Sequence, residues 1–421
     1  MSSNSSIGSL SDSQLLYLRS MGFIVKNLFS KWSEALQTLP QRMDSKRGSK
    51  RRKSTNRKGQ GSKGEIHLPV EIIADILCRL SIESILTCRV VCKTWRNVTR
   101  DSCFINKLGN SLYQPPRLIL KPLMENISDD APRHLILLDI EERKTRRIPF
   151  DRMLADLEIM CSCNGLLCIA SSRTLNPVII YNPITREHLM LPRSRSKAVI
   201  SHHEVSFGFD PSTKKYKVFR AYTAPSSRGK VNNFNIISLG ERSWRKLTEP
   251  GNMVKRDVYG VVSWGGALYW RIVKGPFIVI VQFNLSDEKF RMFNFPDYFP
   301  RNRFSLGLID VGGSLTLVQN ANNVVELWKL TENKVNDLSL SLQDTHNMHV
   351  RWGGGLFCEF VCQMNQKSYL VQVGLRNCQR QQQEHLTLYF PETSQYSTLE
   401  ILGLPKSFMP IWLKPNLMSL T

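Results

Sequence analysis

The sequence predicts an α+β chain of several domains: a small all-α three-helix unit followed by an all-β propeller of about six to seven blades. Three observations predict it. Residues 67–98 (HLPVEIIADILCRLSIESILTCRVVCKTWRNV) carry apolar residues at helical spacing. From about residue 117 the texture changes to short β-type runs separated by turns, with no long helical pattern between them. A Gly followed by an apolar pair then recurs, in NGLLCI (164–169), GGALYW (265–270), GGSLTLV (312–318) and GGGLFC (353–358).

Taken in order, residues 1–40 are a Ser-rich start and an amphipathic helix. Leu18, Met21, Val25, Leu28, Trp32, Ala35 and Leu39 fall on one helix face, and Pro40 ends it. That stripe fits a helix docked on the rest of the chain, a homodimer through residues 15–39, or an organelle-targeting peptide. Residues 41–64 hold ten Lys/Arg against one acid, Asp44, and so carry +9 of the chain's formal +22. Like charges and glycines make this a flexible linker. Its dense part, Lys50, Arg51, Arg52 and Lys53, is a nuclear-import candidate; the alternative is a solvated basic linker.

Residues 65–108 form the helical unit. Pro69 suits a first helical turn, and Ile72, Ile73, Ile76, Leu77 and Leu80 make one broad apolar stripe. Ser81 can cap a second helix, and a third begins near Lys93 with Trp95 and Val98 inward. Phe104 and Leu108 close the unit. About 45 residues bury only a small core, so the unit gains stability by laying apolar residues against another protein.

These residues resemble the F-box. Leu68, Pro69, Glu71, Ile72, Ile76, Leu77, Leu80, Val91, Cys92, Lys93 and Trp95 stand at its characteristic positions, over residues 66–108. Ser81 stands where many relatives have Pro. The resemblance implies binding to the Skp-family linker and, through it, to a cullin–RING ligase. It places Leu68, Pro69, Ile72, Leu77, Leu80, Val91, Lys93 and Trp95 at or beneath that interface. Of these, Trp95 is expected to fill the unit's centre.

Residues 109–421 make the propeller. Asp139 to Asn182 is 43 residues, Asn182 to Asn284 is 102, and Asn284 to Lys329 is 45. A period of about 43–50 residues built of several short strands matches a blade, and the alternative is a β-sandwich. Together with SCNGLLCI, YNPITRE and FGFDPSTKKYKV, the F-box pattern is similar to plant F-box proteins with an F-box-associated or kelch-like β-propeller.

Catalytic and metal chemistry find little footing. His202 and His203 are adjacent in a strand and point to opposite faces; Asp344, His346 and His349 converge only on a helical turn. Cys161 and Cys163 are read as alternating across a strand and therefore core. No zinc-spaced CxxC pairs, P-loop, GxSxG or HExxH occurs. The ten cysteines sit mostly in apolar runs, no secretory signal is visible, and the longest apolar run, FIVIV at 277–281, is strand length. These features predict reduced thiols, no cofactor, no metal, no membrane span, and residence in the nucleus and/or cytoplasm.

The expected function is a non-catalytic substrate adaptor of an SCF-type (Skp–cullin–F-box) ubiquitin ligase, with an unidentified protein target on the propeller. The alternative is a basic, nuclear, nucleic-acid-associated scaffold. It rests on the +9 tract, which lacks interleaved aromatics and so predicts only non-specific phosphate contact. The long basic loops 193–204 and 222–233 predict an acidic target surface.

Overall fold

The computed structural model describes residues 69–109 and, with short interruptions, 117–420. The helix expected within 15–39, the tract 41–64 and Leu68 lie outside the described residues. The chain divides into two units, Met1–Gln114 and Pro115–Thr421.

In the first unit α1 spans Val70–Cys78, α2 Ile82–Cys88, α3 Lys93–Val98 and α4 Ser102–Gly109. Each start has a visible cause. The Pro69 carbonyl accepts the N–H groups of Ile72 and Ile73, and the Ser81 hydroxyl accepts that of Ser84 at 3.4 Å. Three helices were expected and four are present. The fourth begins because Asp101 Oδ1 accepts the N–H groups of Cys103 and Phe104, at 2.9 and 3.2 Å, which makes Asp101 an N-cap.

In the second unit β1 (Arg117–Pro122), β2 (His134–Asp139) and β3 (Lys144–Pro149) come first. Then follow β4 (Glu158–Cys163), β5 (Leu166–Ala170), β6 (Val178–Tyr181) and β7 (His188–Met190). The next four are β8 (His202–Asp210), β9 (Lys215–Ser226), β10 (Gly229–Ser238) and β11 (Arg245–Lys246). After them run β12 (Tyr259–Trp264), β13 (Ala267–Lys274), β14 (Phe277–Asn284) and β15 (Phe290–Asn294). The chain continues with β16 (Leu306–Val311), β17 (Ser314–Ala321), β18 (Val324–Glu332) and β19 (Leu338–His346). It ends with β20 (Leu356–Asn365), β21 (Ser368–Leu375), β22 (His385–Phe390), β23 (Gln395–Thr398) and β24 (Phe408–Leu413).

These strands form six four-stranded antiparallel sheets, so the blade count is six. Five blades use consecutive strands; the first has the order β24-β1-β2-β3. The inner strands β4, β8, β12, β16, β20 and β24 neighbour one another in that order, and β24 also neighbours β4. The ring therefore closes through the last strand, which pairs with β1 over six registered residues, Arg117↔Leu413 to Pro122↔Phe408.

Residues 416–420 extend the closure onto the second blade. Asn182 is fully buried; its Nδ2 donates to the carbonyls of Asn416 and Met418, at 3.1 and 2.9 Å. Glu187 Oε2 accepts the Leu420 N–H at 2.8 Å, and Leu417 and Leu420 are buried. At Gly165, whose φ is +78°, an added Cβ would lie 1.9 Å from the Lys414 carbonyl oxygen, so the tail requires glycine there.

The period read from sequence has a local cause. Asp139, Asn182, Asp210 and Asn284 each open a five-residue turn. Their side-chain oxygens accept N–H groups two or three residues on: Glu142; Ile184 and Thr185; Ser212 and Thr213; Ser286 and Asp287. The residue four places after each, Arg143, Arg186, Lys214 and Glu288, has positive φ. Asp139, Asn182 and Asn284 close the third strands of their blades, which is why their spacings are one or two blade lengths. Lys329 lies inside β18 rather than at its end, so that spacing was coincidental.

The glycine motif is likewise part regular, part coincidence. Asn164-Gly165, Gly265-Gly266 and Gly313 occupy turns between first and second strands. GGGLFC instead runs into a first strand, β20.

Apolar faces of adjacent blades meet at the seams, as in the cluster of Phe219, Phe234, Leu268, Trp270, Val281 and Phe283. An ionic network, buried at Asp210 and Lys217 and open to solvent at Arg245, reinforces that seam between the third and fourth blades. Lys217 Nζ lies 3.2 Å from Asp210 Oδ2 and 3.1 Å from Glu288 Oε1, and Arg245 binds Glu288 with two bonds of 2.8 Å. Burial alone would raise the Asp210 carboxyl. Hydrogen bonds from Ser212, Ser286 and Thr213 outweigh it and hold the group well below its ordinary value of 3.8.

Two predictions follow from the ring. Asn182→Ala should cost about 2 to 4 kcal/mol, since it strands two tail carbonyls and two turn N–H groups. Urea unfolding measures it, and a loss below about 0.5 kcal/mol, the range of an ordinary surface substitution, would count against the tail as a closing element. The folded carboxylate of Asp210 stabilises the ring above pH 3.8, and that contribution is lost as pH falls below 3.8. Asp210→Asn should flatten the acid limb of the stability curve between about pH 4 and 2. Equal acid limbs in both proteins, followed by circular dichroism, would remove this group from the account.

Candidate partner-binding surfaces

The helical unit is built around Ile73, Ile76, Leu77, Leu80, Ile82, Ile85, Cys88, Val98, Phe104 and Leu108, all buried. On α1 the residues Ile73, Ile76 and Leu77 centre on one side, and Leu80 follows just past the helix end; Ile72 is about 100° round from Ile73 at 3.6 residues per turn, at the stripe's edge. The structure accordingly buries Leu77 fully and leaves Ile72 40% exposed. An ion pair between Lys107 and Asp75 joins α4 to α1. Burial raises the Cys78 and Cys88 thiols, the latter to about 11, so both behave as small core hydrophobes.

The residues expected at the partner interface divide. Pro69, Ile72, Val91 and Lys93 are exposed, whereas Leu77 and Leu80 belong to the unit's own core. Trp95, expected at the centre, is only half-buried. It lies in the first turn of a six-residue helix, where its N–H meets Cys92 Sγ at 3.5 Å, and Val98 a turn later fills the core instead. Two residues were missed: Val70 and Val90, 52% and 51% exposed. Aliphatic side chains flanking Ile72 and Val91 in sequence were the available signal.

The propeller has two unlike rims. In an antiparallel blade the turn between first and second strands and the turn between third and fourth share one end. That end holds the short Asx and glycine turns. The opposite end receives the connections between second and third strands and between successive blades. The blade-to-blade connections here are long, such as 191–201 between β7 and β8 and 247–258 between β11 and β12, whereas β9–β10, β13–β14 and β17–β18 are joined by two residues each; the long loop expected at 222–233 is instead the β9–β10 hairpin. Specificity in such scaffolds resides in variable connections held by a rigid frame.

Among the described residues no three His, Cys, Asp or Glu side chains group as metal ligands. Asp344 and His346 lie in the extended strand β19, not on a helical turn, and His349 is outside the described residues. His202 and His203 open β8. Cys161 and Cys163, two apart in β4, share a strand face rather than alternating, because side chains repeat every two residues. They pack on the core between the second and third blades. A hydrogen bond to Cys168 and burial raise the Cys161 thiol, and burial pushes Cys163 up to about 12. No helix among the described residues is long and apolar enough to cross a membrane.

Comparison with known proteins agrees with this architecture. Residues 66–107 match the family described as the F-box domain, and residues 133–407 match the F-box associated beta propeller domain. F-box protein At3g07870 of Arabidopsis thaliana is 31% identical over 322 residues, covering 68% of this chain and 75% of its own. F-box protein At5g49610 of the same organism is 27% identical over 282 residues, covering 63% and 75%. TolB from Acinetobacter baumannii superposes with a TM-score of 0.39 at 12% identity, covering 76% of this chain and 73% of its own. On the two domain matches and the 31% relative, the chain belongs to the F-box proteins that carry an F-box associated β-propeller.

Proposed function

We propose that the Skp-family linker docks on the aliphatic patch of Val70, Ile72, Val90 and Val91, with Leu68, Pro69, Lys93 and Trp95 completing the contact. The domain architecture is that of an SCF-type substrate adaptor, a non-catalytic subunit whose F-box binds a Skp-type linker. Nothing in either domain supports the nucleic-acid scaffold alternative. The observation that carries this reading is that four aliphatic residues of the unit, Val70, Ile72, Val90 and Val91, are each 40–52% exposed while others, such as Leu77 and Ile85, form its core. Leu77 and Leu80 act indirectly, by fixing α1.

Adaptor action needs no reacting group in this chain. Tethering a bound target beside the ubiquitin-charged enzyme raises its effective concentration. The target, a protein, is assigned to the rim that carries the long blade-to-blade connections. Residence in the nucleus and/or cytoplasm is assigned with Lys50–Lys53 as the import element.

Ile72→Glu combined with Val91→Glu should lower co-purification of the linker at least about tenfold, because each places a carboxylate in a desolvated contact worth roughly 2 kcal/mol or more. Helix content should stay unchanged, since both residues lie outside the core. Full linker recovery would move the interface elsewhere. Replacing Lys50, Arg51, Arg52 and Lys53 with Ala should shift a fluorescent fusion from nucleus to cytoplasm; an unaltered distribution would reduce the tract to a linker.

A further inference from the structure

Arg220 is the least explained group in the propeller. It sits on β9 at the seam between the second and third blades and is 0% exposed. Its Nη1 donates to the Leu175 carbonyl at 3.0 Å, while Nε and Nη2 have no hydrogen-bond partner. Its guanidinium carbon lies 3.9 Å from the centre of the Trp244 ring and 5.8 Å from that of Tyr222. Trp244 is itself fixed by a bond from Nε1 to the Pro192 carbonyl at 2.7 Å. Among the described residues no carboxylate pairs with Arg220. The contrast with Lys217 is instructive. That buried cation, on the same strand and facing the other seam, has two carboxylates.

A buried cation without a counter-charge is expensive unless something pairs with it. The planar fork of a guanidinium is shaped for an oxyanion, and two of its donor nitrogens are free. The described segments that hold the pair bring no acid. Leu175, which accepts from Arg220, lies in 174–177, and Pro192, which accepts from Trp244, lies in 191–194 beside the exposed Arg193; neither segment contains Asp or Glu. The nearby inner-strand acid Glu204 is raised to about 7 by burial and by Glu158, so at neutral pH it carries only part of a negative charge.

We propose that the seam between the second and third blades is an oxyanion-binding site in which Arg220, held by Trp244 and Leu175, pairs with a carboxylate or phosphoryl group presented by the target protein. The seam must part locally to admit the ion, because Arg220 has no solvent contact in the closed form. The inference rests on the adaptor reading only for the source of the anion; the site itself is tested without it.

The test uses full-length protein bound to its linker, or alone if linker capture fails. Thermal unfolding is followed in sodium phosphate, sodium acetate and sodium chloride at matched ionic strength and pH. Phosphate or acetate at 20-fold its Kd, or more, should raise Tm by about 3 °C or more over chloride by mass action. The effective salt tells phosphoryl from carboxylate recognition. Arg220→Met, which keeps the bulk, should fold, hold its Tm in chloride and lose the anion shift. A wild type indifferent to both anions overturns the proposal. So does a shift that survives Arg220→Met, which would assign the ion elsewhere. Should Arg220→Met fail to fold, hydrogen exchange on the wild type decides: phosphate must protect peptides covering 174–178 and 216–223, and uniform or absent protection overturns the site.

Discussion

The pairing of β24 with β1 is the constraint on which the propeller depends. It joins Phe408–Leu413 to Arg117–Pro122, almost three hundred residues earlier, and converts five complete sheets and one incomplete one into a ring without a gap. Loop-closure entropy grows only slowly with length, about 0.6 kcal/mol per doubling, so even so distant a closure is affordable once six residue pairs and a buried tail reward it. Asn182 makes the closure double. The side chain that shapes the turn after β6 also grips the tail leaving β24, so the second blade cannot part from that tail without losing the two bonds to the Asn416 and Met418 carbonyls.

Closure also sorts the connections by freedom. The Asx turns are short because one side-chain oxygen does the work of a longer loop, and their left-handed fifth residues tolerate that geometry without glycine at Arg143, Arg186, Lys214 and Glu288. Those residues are committed to architecture. At the opposite rim the connections differ in length and charge from one to the next. The seams between blades divide in the same way. At one, Asp210, Lys217, Glu288 and Arg245 balance charge within the protein; at the next, Arg220 is left with spare donors beside a tryptophan.

The helical unit follows a different economy of surface. Its short helices enclose one small core, and its remaining aliphatic residues stay in water. Leaving Val70, Ile72, Val90 and Val91 exposed forgoes burial that a partner can supply, at roughly 25 cal/mol per Å² of apolar surface removed from water. Stability and recognition in this unit therefore draw on the same physical effect.

Local pattern in the sequence determined the helical unit, most strand positions, the Ser81 cap and the turn signals, because each depends on neighbours within a few residues. Resemblance added the family. Tertiary structure alone decided what depends on distant neighbours. Six blades rather than seven follow from the last strand completing the first sheet, which no spacing reveals. Helical spacing sets Ile72 at the edge of the stripe that holds Leu77, and packing against α3 and α4 decides that this edge stays in water. GGGLFC looks like its counterparts, yet its Leu356 opens a first strand, whereas Leu166, Ala267 and Ser314 open second strands. Arg220 reads as one basic residue among 57 until β9 is placed in the seam. Periodicity encodes which face a residue takes, and long-range pairing decides what that face meets.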